Sequence, residues 1–367
     1  MDLFTQYKFL SGLRRGPLGE LAFLTAQADV EENSYRKDLW LKPLDGPAFP
    51  LTTDGKTGGF LWDGPHTLLF QSTRDPEQKK RAEAGEEHTA FYRLDLRGGE
   101  AQKAFEVPLS ASLLEKADEG VYLLAVDWDL RFSKAHQLKG GAKEALLKEK
   151  KEEKDYQVLD EMPFYFNGAG YVNKHRDALF LYEESSGKLT RVTKEAFSTG
   201  SAHLSPDGKQ VLFTGQSYTV KRKNKSGVYV YDRETGRTTE LLKPRTYDLY
   251  DALWWGEKIL LLATDGKRYG LNENAQFYTL NPASGEVALL APYEDALGSS
   301  VGSDCRLGGG REWVQEGDKL YFVTTLGGAS QVYCLEEAGE IRPVYTQAGS
   351  VDCIDAAEGS LYFVGLQ

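Results

Sequence analysis

Seven times along this chain a glycine-containing turn runs into a short apolar segment, and that periodicity restricts the fold more than any other feature. Gly19-Glu20 precedes Leu21–Ala26, Asp63-Gly64 precedes Thr67–Ser72, and Glu119-Gly120 precedes Val121–Val126. Asp207-Gly208 leads into Gln210–Gly215, Gly256-Glu257 into Ile259–Thr264, Glu316-Gly317 into Leu320–Thr325, and Glu358-Gly359 into Leu361–Leu366. Each run is short and rich in Val, Leu, Phe and Tyr, so it reads as a buried strand. After each of the first six comes a second strand type: Asp38–Pro43, Ala90–Asp95, Ala178–Glu183, Val228–Arg233, Gln276–Asn281 and Gln331–Glu336. Tight turns such as Asp45-Gly46, Ser186-Gly187 and Thr235-Gly236 follow these strands and supply the positive backbone angles that hairpins need. A closing strand ends the unit, as in Lys188–Thr193 and Glu286–Ala291.

Antiparallel units of four strands, repeating every 40–60 residues or roughly so, predict a β-propeller. The expected fold is all-β: a seven-bladed β-propeller with the last blade incomplete and a helical and aromatic insertion in blade three. The blades are expected at about 7–53, 59–108, 109–193, 197–243, 250–291, 307–346 and 350–367, the last partial, with the insertion at 129–177. After Leu361–Leu366 no third or fourth strand follows before Gln367, which would leave a bare sheet edge. The expectation is a fragment of a longer protein. The alternative is a six-and-a-half-bladed ring that closes by pairing with a second copy.

Composition narrows the partners. With 44 basic and 55 acidic residues the net charge is −11, which argues against nucleic acid, because a phosphate-binding surface needs a Lys/Arg excess. No apolar run approaches the roughly 20 residues that span a bilayer, and Met1–Gly16 has no stretch apolar enough for a secretory signal. Neither nucleic acid nor a membrane is therefore expected as a partner. Cys305, Cys334 and Cys353 lack metal-type spacing and suit a reducing cytoplasm.

Motifs for chemistry are few. Gly298-Ser299-Ser300-Val301-Gly302 matches the nucleophile-elbow pattern, but that motif needs an entering strand and a departing helix. Flanked by Ala291–Leu297 and a glycine-rich stretch, it reads instead as a link between blades five and six. His66, His88, His136, His175 and His203 show no zinc-type spacing, and Gly308-Gly309-Gly310 lacks the lysine of a phosphate loop. No metal, no cofactor and no catalytic constellation is expected.

The blade-three insertion says more. Lys143–Asp155 carries five basic and five acidic residues, with Glu144 and Lys148 at the spacing of a solvated helix. Beyond it, Phe164, Tyr165, Phe166 and Tyr171 surround Asn167-Gly168 and are too apolar for a free loop, so they are expected to pack on the propeller or to face a partner or substrate. Blade topology places this insertion on the face shared by the inter-blade links, together with the loops Glu31–Arg36, Asp265–Gly270 and Ser299–Arg306. Loops gathered on a rigid scaffold are where binding residues usually sit.

Glu31–Trp40 (EENSYRKDLW), Glu161–Tyr171 (EMPFYFNGAGY), Leu204–Phe213 (LSPDGKQVLF), Ser300–Arg311 (SVGSDCRLGGGR) and Gly349–Phe363 together give the chain a family likeness. Along essentially its whole length it resembles the N-terminal propeller of acylaminoacyl-peptidase-type enzymes in the prolyl oligopeptidase family of serine peptidases. It departs from them in carrying Gly16–Glu20 (GPLGE) where the family often has an SPDG turn. The resemblance implies a C-terminal α/β-hydrolase domain of the same parent chain bearing Ser, Asp and His, absent here. It further implies a gating and substrate-selecting role, in which short peptides enter and folded proteins are excluded, with the propeller inactive by itself. The alternative is a free-standing propeller that scaffolds proteins or binds a small ligand; a sugar-active propeller enzyme is disfavoured, since no paired carboxylates recur between blades.

On this reading Glu31 or Glu32 would hold a substrate amine, unless they merely solvate their loop, and Tyr35 lies beside them. Phe164, Phe166, Asn167 and Tyr171 would contribute to substrate binding or gating. Asp304 and Arg306 would pair to pin their loop rather than touch substrate.

Overall fold

Every apolar run of the repeat is the second strand of an antiparallel sheet. The computed structural model describes residues 3–302 and 307–366. The first sheet contains β1 (Phe9–Arg15), β2 (Leu21–Asp29), β3 (Ser34–Lys42) and β4 (Phe49–Pro50), in that order. The second contains β5 (Thr57–Gly64), β6 (Thr67–Ser72), β7 (Thr89–Asp95) and β8 (Gln102–Val107), with helix α1 (Pro76–Glu83) between β6 and β7. In the third, β9 (Ala111–Asp118) and β10 (Val121–Asp129) precede the insertion, which carries helix α2 (Gly140–Glu152) and a small hairpin of β11 (Tyr165–Phe166) and β12 (Gly170–Tyr171). The sheet then resumes with β13 (His175–Glu183) and β14 (Lys188–Arg191).

The fourth sheet is β15 (Phe197–Leu204), β16 (Gln210–Ser217), β17 (Gly227–Asp232) and β18 (Thr238–Leu242). The fifth is β19 (Asp248–Trp255), β20 (Lys258–Thr264), β21 (Gln276–Leu280) and β22 (Val287–Ala291). The sixth has five strands: β23 (Ala296–Leu297), β24 (Trp313–Glu316), β25 (Lys319–Leu326), β26 (Ala329–Glu336) and β27 (Ile341–Tyr345). Last come β28 (Ser350–Ala357) and β29 (Ser360–Leu366), which form a two-stranded sheet.

The all-β propeller expectation therefore stands, but the count of seven does not. Among the described residues there are six blades of four or five strands, and the seventh glycine onset produces a two-stranded hairpin. A glycine turn marks where two strands meet; it does not state how many further strands join them. The hairpin nevertheless has the register of a blade's first two strands. A bulge interrupts β28–β29 between Val351 and Cys353, as bulges interrupt β1–β2, β9–β10 and β15–β16. Pairs of second and third strands, such as β2–β3, β10–β13 and β25–β26, run without one.

Contacts divide the chain into two compact units, Met1–Leu68 with Trp255–Asn281 and Glu286–Gln367, and Leu69–Trp254 with Pro282–Gly285. In the first, Val314, Tyr321, Val323, Val332 and Cys334 pack with Val351 and Ile354, so the hairpin buries its inner face on the sixth sheet. In the second, Leu123, Leu179, Leu181 and Val192 pack against Phe197, Val211, Phe213 and Tyr231, joining the third sheet to the fourth. Each such side chain contributes about 1.5–3 kcal/mol by leaving water.

The turn between β15 and β16 shows how local chemistry sets the repeat. Ser205 Oγ donates to Asp207 Oδ1 at 2.6 Å and accepts from the Gln210 amide at 2.9 Å, while the Gly208 amide donates to the Ser205 carbonyl at 2.8 Å. Gly208 sits at φ +69°, and a Cβ there would meet the Ala117 carbonyl oxygen at 2.5 Å, so only glycine fits.

Candidate functional site

The insertion leaves the third sheet after β10 and returns to it at β13, and its second half is tied down by a buried ion pair. Glu161 and Arg176 are 3% and 1% exposed. Arg176 Nη1 donates to Glu161 Oε2 at 3.0 Å and Nη2 to Oε1 at 2.7 Å, a two-bond fork. The remaining guanidinium hydrogens go to the carbonyls of His175, Tyr218 and Ala196, and the group lies 3.7 Å from the centre of the Tyr218 ring. Glu161 also accepts from the Lys174 amide at 2.9 Å. Burial, the largest single influence, would raise its carboxyl, but the hydrogen bonds and charges of Arg176 and Lys174 together outweigh it and hold the group below the usual carboxylate range. Asn173 completes the anchor: its Oδ1 accepts from the amides of Asp160 and Glu161 and its Nδ2 donates to Val158.

With its base so pinned, the strand entering β11 pairs with the β16–β17 loop. The Met162 amide donates to Val220 at 2.8 Å and the Arg222 amide to Met162 at 2.8 Å. The Val172 amide donates to Phe164, closing the hairpin. The aromatic residues of this hairpin are not buried: Phe164 is 37%, Tyr165 51%, Phe166 46% and Tyr171 54% exposed. Tyr165 and Tyr171 pack edge to face on one another, with ring centres 5.6 Å apart. Of the two alternatives expected for these rings, packing on the propeller is not what the structure shows; backbone pairing and the Glu161–Arg176 anchor order the hairpin without burying its side chains.

Of the residues singled out from sequence, Phe164, Phe166, Asn167 and Tyr171 are brought together on this one hairpin, Asn167 exposed in its turn. Glu31 and Glu32 lie exposed in the turn between β2 and β3, where the Glu32 amide donates to Asp29 Oδ1 and Asn33 takes φ +48°. Tyr35 begins β3 with its ring edge against Phe9, 6.3 Å between centres. Asp304 and Arg306 lie outside the described residues, as does Cys305.

The stretch matching the nucleophile elbow is coil from Ser299 to Gly302, without a departing helix over those residues. Ser299 Oγ donates to Ser330 Oγ at 3.0 Å and the Ser300 amide to Thr325 Oγ1 at 2.8 Å. The Ser299 hydroxyl and the Ser300 backbone thus both serve to hold the link in place. Cys334 and Cys353 are buried free thiols, and burial pushes both upward, away from the reactive thiolate.

Two histidines are ion-paired, which their spacing did not reveal. His203 on β15 places Nε2 2.9 Å from Asp251 Oδ1 on β19 and Nδ1 3.3 Å from Glu115 Oε1 on β9, linking the first strands of three sheets. Burial lowers its pKa, but the two carboxylates overcome this and push it up to about 10, although 31% of the side chain remains accessible. His175, at the end of the insertion, sits 2.8 Å from Asp127, and that bond raises it too.

A cleft of 470 Å3 opens at the β20–β21 loop, lined by Arg268, Tyr269, Asn274, Tyr293 and Glu294. Its floor is set by Glu273, which accepts from Thr264 Oγ1 at 2.6 Å and from the amides of Arg268 and Tyr269; the Thr264 bond is the largest cause of its lowered pKa. All of that carboxylate's capacity is used in shaping the loop. Among the described residues no cluster of His, Cys, Asp and Glu has the arrangement to hold a metal ion.

The class defined by this architecture is the β-propeller, built here from blades of antiparallel strands with an insertion in the third. Peptidases recur among the known proteins it resembles. The sequence is 21% identical over 354 residues to a Bacillus subtilis (strain 168) protein named uncharacterized peptidase YuxL, covering 94% of this chain and 51% of that protein. The structure is similar to Pyrococcus horikoshii acylaminoacyl peptidase, with a TM-score of 0.68 at 16% identity over 99% of this chain and 50% of that one. It is also similar to the β-propeller domain of the Trilobed protease from Pyrococcus furiosus, with a TM-score of 0.57 at 13% identity, covering 96% of this chain and 90% of that domain. No family model matches the sequence. The chain thus spans about half the length of the curated relative it matches, and it is similar to the propeller domains of acylaminoacyl-peptidase-type members of the prolyl oligopeptidase family. No helix among the described residues is long and apolar enough to cross a membrane.

Proposed function

We propose that this chain is the gating and substrate-selecting propeller of a cytoplasmic serine oligopeptidase, inactive without a partner α/β-hydrolase domain. The observation that carries the reading is coverage: nearly all of this chain aligns with half of a peptidase, both in sequence and in structure. Steric exclusion supplies the mechanism. A peptidase screened by a rigid sheet scaffold reaches only chains thin and flexible enough to pass, so short peptides are cut and folded proteins spared. The hairpin aromatics Phe164, Phe166 and Tyr171, with Asn167, are assigned to substrate contact. Glu31 and Glu32 are assigned to the substrate amine, with Tyr35 as a flanking ring, and Asp304 and Arg306 to pinning their own loop.

The coding sequence beyond Gln367 is expected to supply the Ser, Asp and His of the hydrolase domain. The full polypeptide should cleave a free dodecapeptide and leave the same sequence uncut within a folded protein. Equal cleavage of both would refute gating. The 367-residue chain by itself should take no label from a fluorophosphonate probe.

A further inference from the structure

In a chain of net charge −11, two neighbouring loops carry positive charge alone. The β16–β17 loop contains Lys221, Arg222, Lys223 and Lys225, and the link from β18 to β19 contains Lys243 and Arg245; neither holds an acidic residue. They are joined by the Ser226 amide, which donates to the Tyr247 carbonyl at 3.0 Å. Lys221, Lys223, Lys243 and Arg245 are exposed. Those four and Arg222 make no side-chain ion pair among the described residues. Arg222 and Lys225 act at range on the half-buried Asp248, whose carboxyl burial pushes upward.

The loop backbone is hydrogen-bonded at several points despite the density of charge. Gln216 accepts from the Lys223 amide at 3.0 Å and donates to the carbonyls of Lys223 and Lys225, and Met162 bridges Lys221. That bridge sets the cations directly beside the exposed aromatic hairpin, with Val220 66% and Met162 55% exposed at the junction. A surface that is apolar along one strip and cationic along the next, held in place by Glu161–Arg176, suits an extended ligand that alternates apolar side chains with carboxylates.

We infer that the aromatic hairpin and the Lys221–Lys225 loop form one docking surface for acidic, apolar-rich extended peptides, which the charge complementarity selects. This inference rests on reading the chain as a peptide-selecting propeller, and it names the peptide class. Lys221, Arg222 and Lys223, which make no side-chain ion pair among the described residues, attract carboxylates over about 8 Å at physiological salt, while the rings bury apolar side chains.

The test is fluorescence anisotropy with this 367-residue chain and a labelled dodecapeptide of repeating Glu-Phe-Glu-Leu, against the same peptide with Gln for Glu. The acidic peptide should bind about tenfold more tightly, and more weakly as salt rises. Lys221→Glu with Arg222→Glu and Lys223→Glu should abolish that preference, and Phe166→Ser with Tyr171→Ser should weaken both peptides alike. An unchanged melting temperature in each variant shows that the fold is kept. Equal binding of the two peptides, or an unaffected charge-reversed variant, overturns the inference. So does capture of phosphatidylserine vesicles or a single-stranded RNA oligonucleotide in place of the peptide. Hydrolysis enters none of these readouts, so equal binding of the two peptides refutes the docking surface and leaves gating intact, whereas equal cleavage of free and folded substrate refutes gating and leaves the binding result standing.

Discussion

Arg176 is enclosed by Glu161, the Tyr218 ring and three backbone carbonyls, so its charge has no route back to water once the insertion is folded. Removing one partner strands the other. Arg176→Met is expected to destabilise the protein by about 3–5 kcal/mol, read as a lower urea midpoint, whereas replacing both partners with apolar residues should recover much of that loss. Because Glu161 titrates below its ordinary 4.5 in the folded state, its contribution is complete above that pH and disappears as pH falls through the folded value. Acid unfolding of Glu161→Gln should accordingly be less steep than that of the parent below about pH 4.5. His203 has the opposite sign. Its pKa rises from 6.5 to about 10 on folding, so its stabilisation is full below pH 6.5 and is lost as pH climbs through about 10. The stability gap between the parent and His203→Gln should narrow across that interval in denaturant titrations. On the proposed peptidase function, replacing Glu31 and Glu32 by Gln in the full-length polypeptide should raise KM for free-amine peptides and leave kcat alone; unchanged kinetics would remove them from substrate binding.

Among the elements, the insertion shows two kinds of order. Its helix α2 buries no residue, and it is joined to the segment after α1 by Lys143–Glu86 at 2.6 Å and Lys150–Glu87 at 2.7 Å, while Lys148 pairs with Glu152 one turn on. Partly exposed pairs of this kind contribute about 0–1 kcal/mol each. Replacing Gly140–Glu152 by a flexible linker is therefore expected to move the melting temperature by only a few degrees, or roughly 1 kcal/mol. The aromatic hairpin, fixed by a buried anchor, should tolerate no such exchange at its base. Charge content made α2 readable from the sequence, because Lys and Glu at helical spacing act locally. The anchor was not readable: Glu161, Arg176 and Tyr218 meet only once β13 and β16 have paired with their neighbours. The cationic run at Lys221–Lys225 acquires a meaning only from Met162 lying next to it, a neighbour set by tertiary pairing.

At the scale of the whole molecule, the open question of the seventh repeat becomes a question of pairing. Among the described residues β29 pairs with β28 alone, and Phe363 and Leu366 stand exposed beside that pairing. Its strand resembles β16, β20 and β25 in composition, yet those are buried through most of their length while β29 has no buried residue. Such an edge promotes association between copies. Sedimentation velocity should show concentration-dependent self-association of this chain that Phe363→Lys reduces, since a charge on an edge strand disfavours pairing. The glycine turns and apolar runs by themselves determined the all-β propeller class and the place of the insertion, because turn geometry and strand alternation are properties of neighbouring residues. Only the tertiary structure decided that there are six blades and not seven, that the aromatic hairpin is exposed, and that Glu161 and Arg176 anchor it. Each of those depends on which distant strands share hydrogen bonds and which side chains lose water together, and neither is encoded within a single segment.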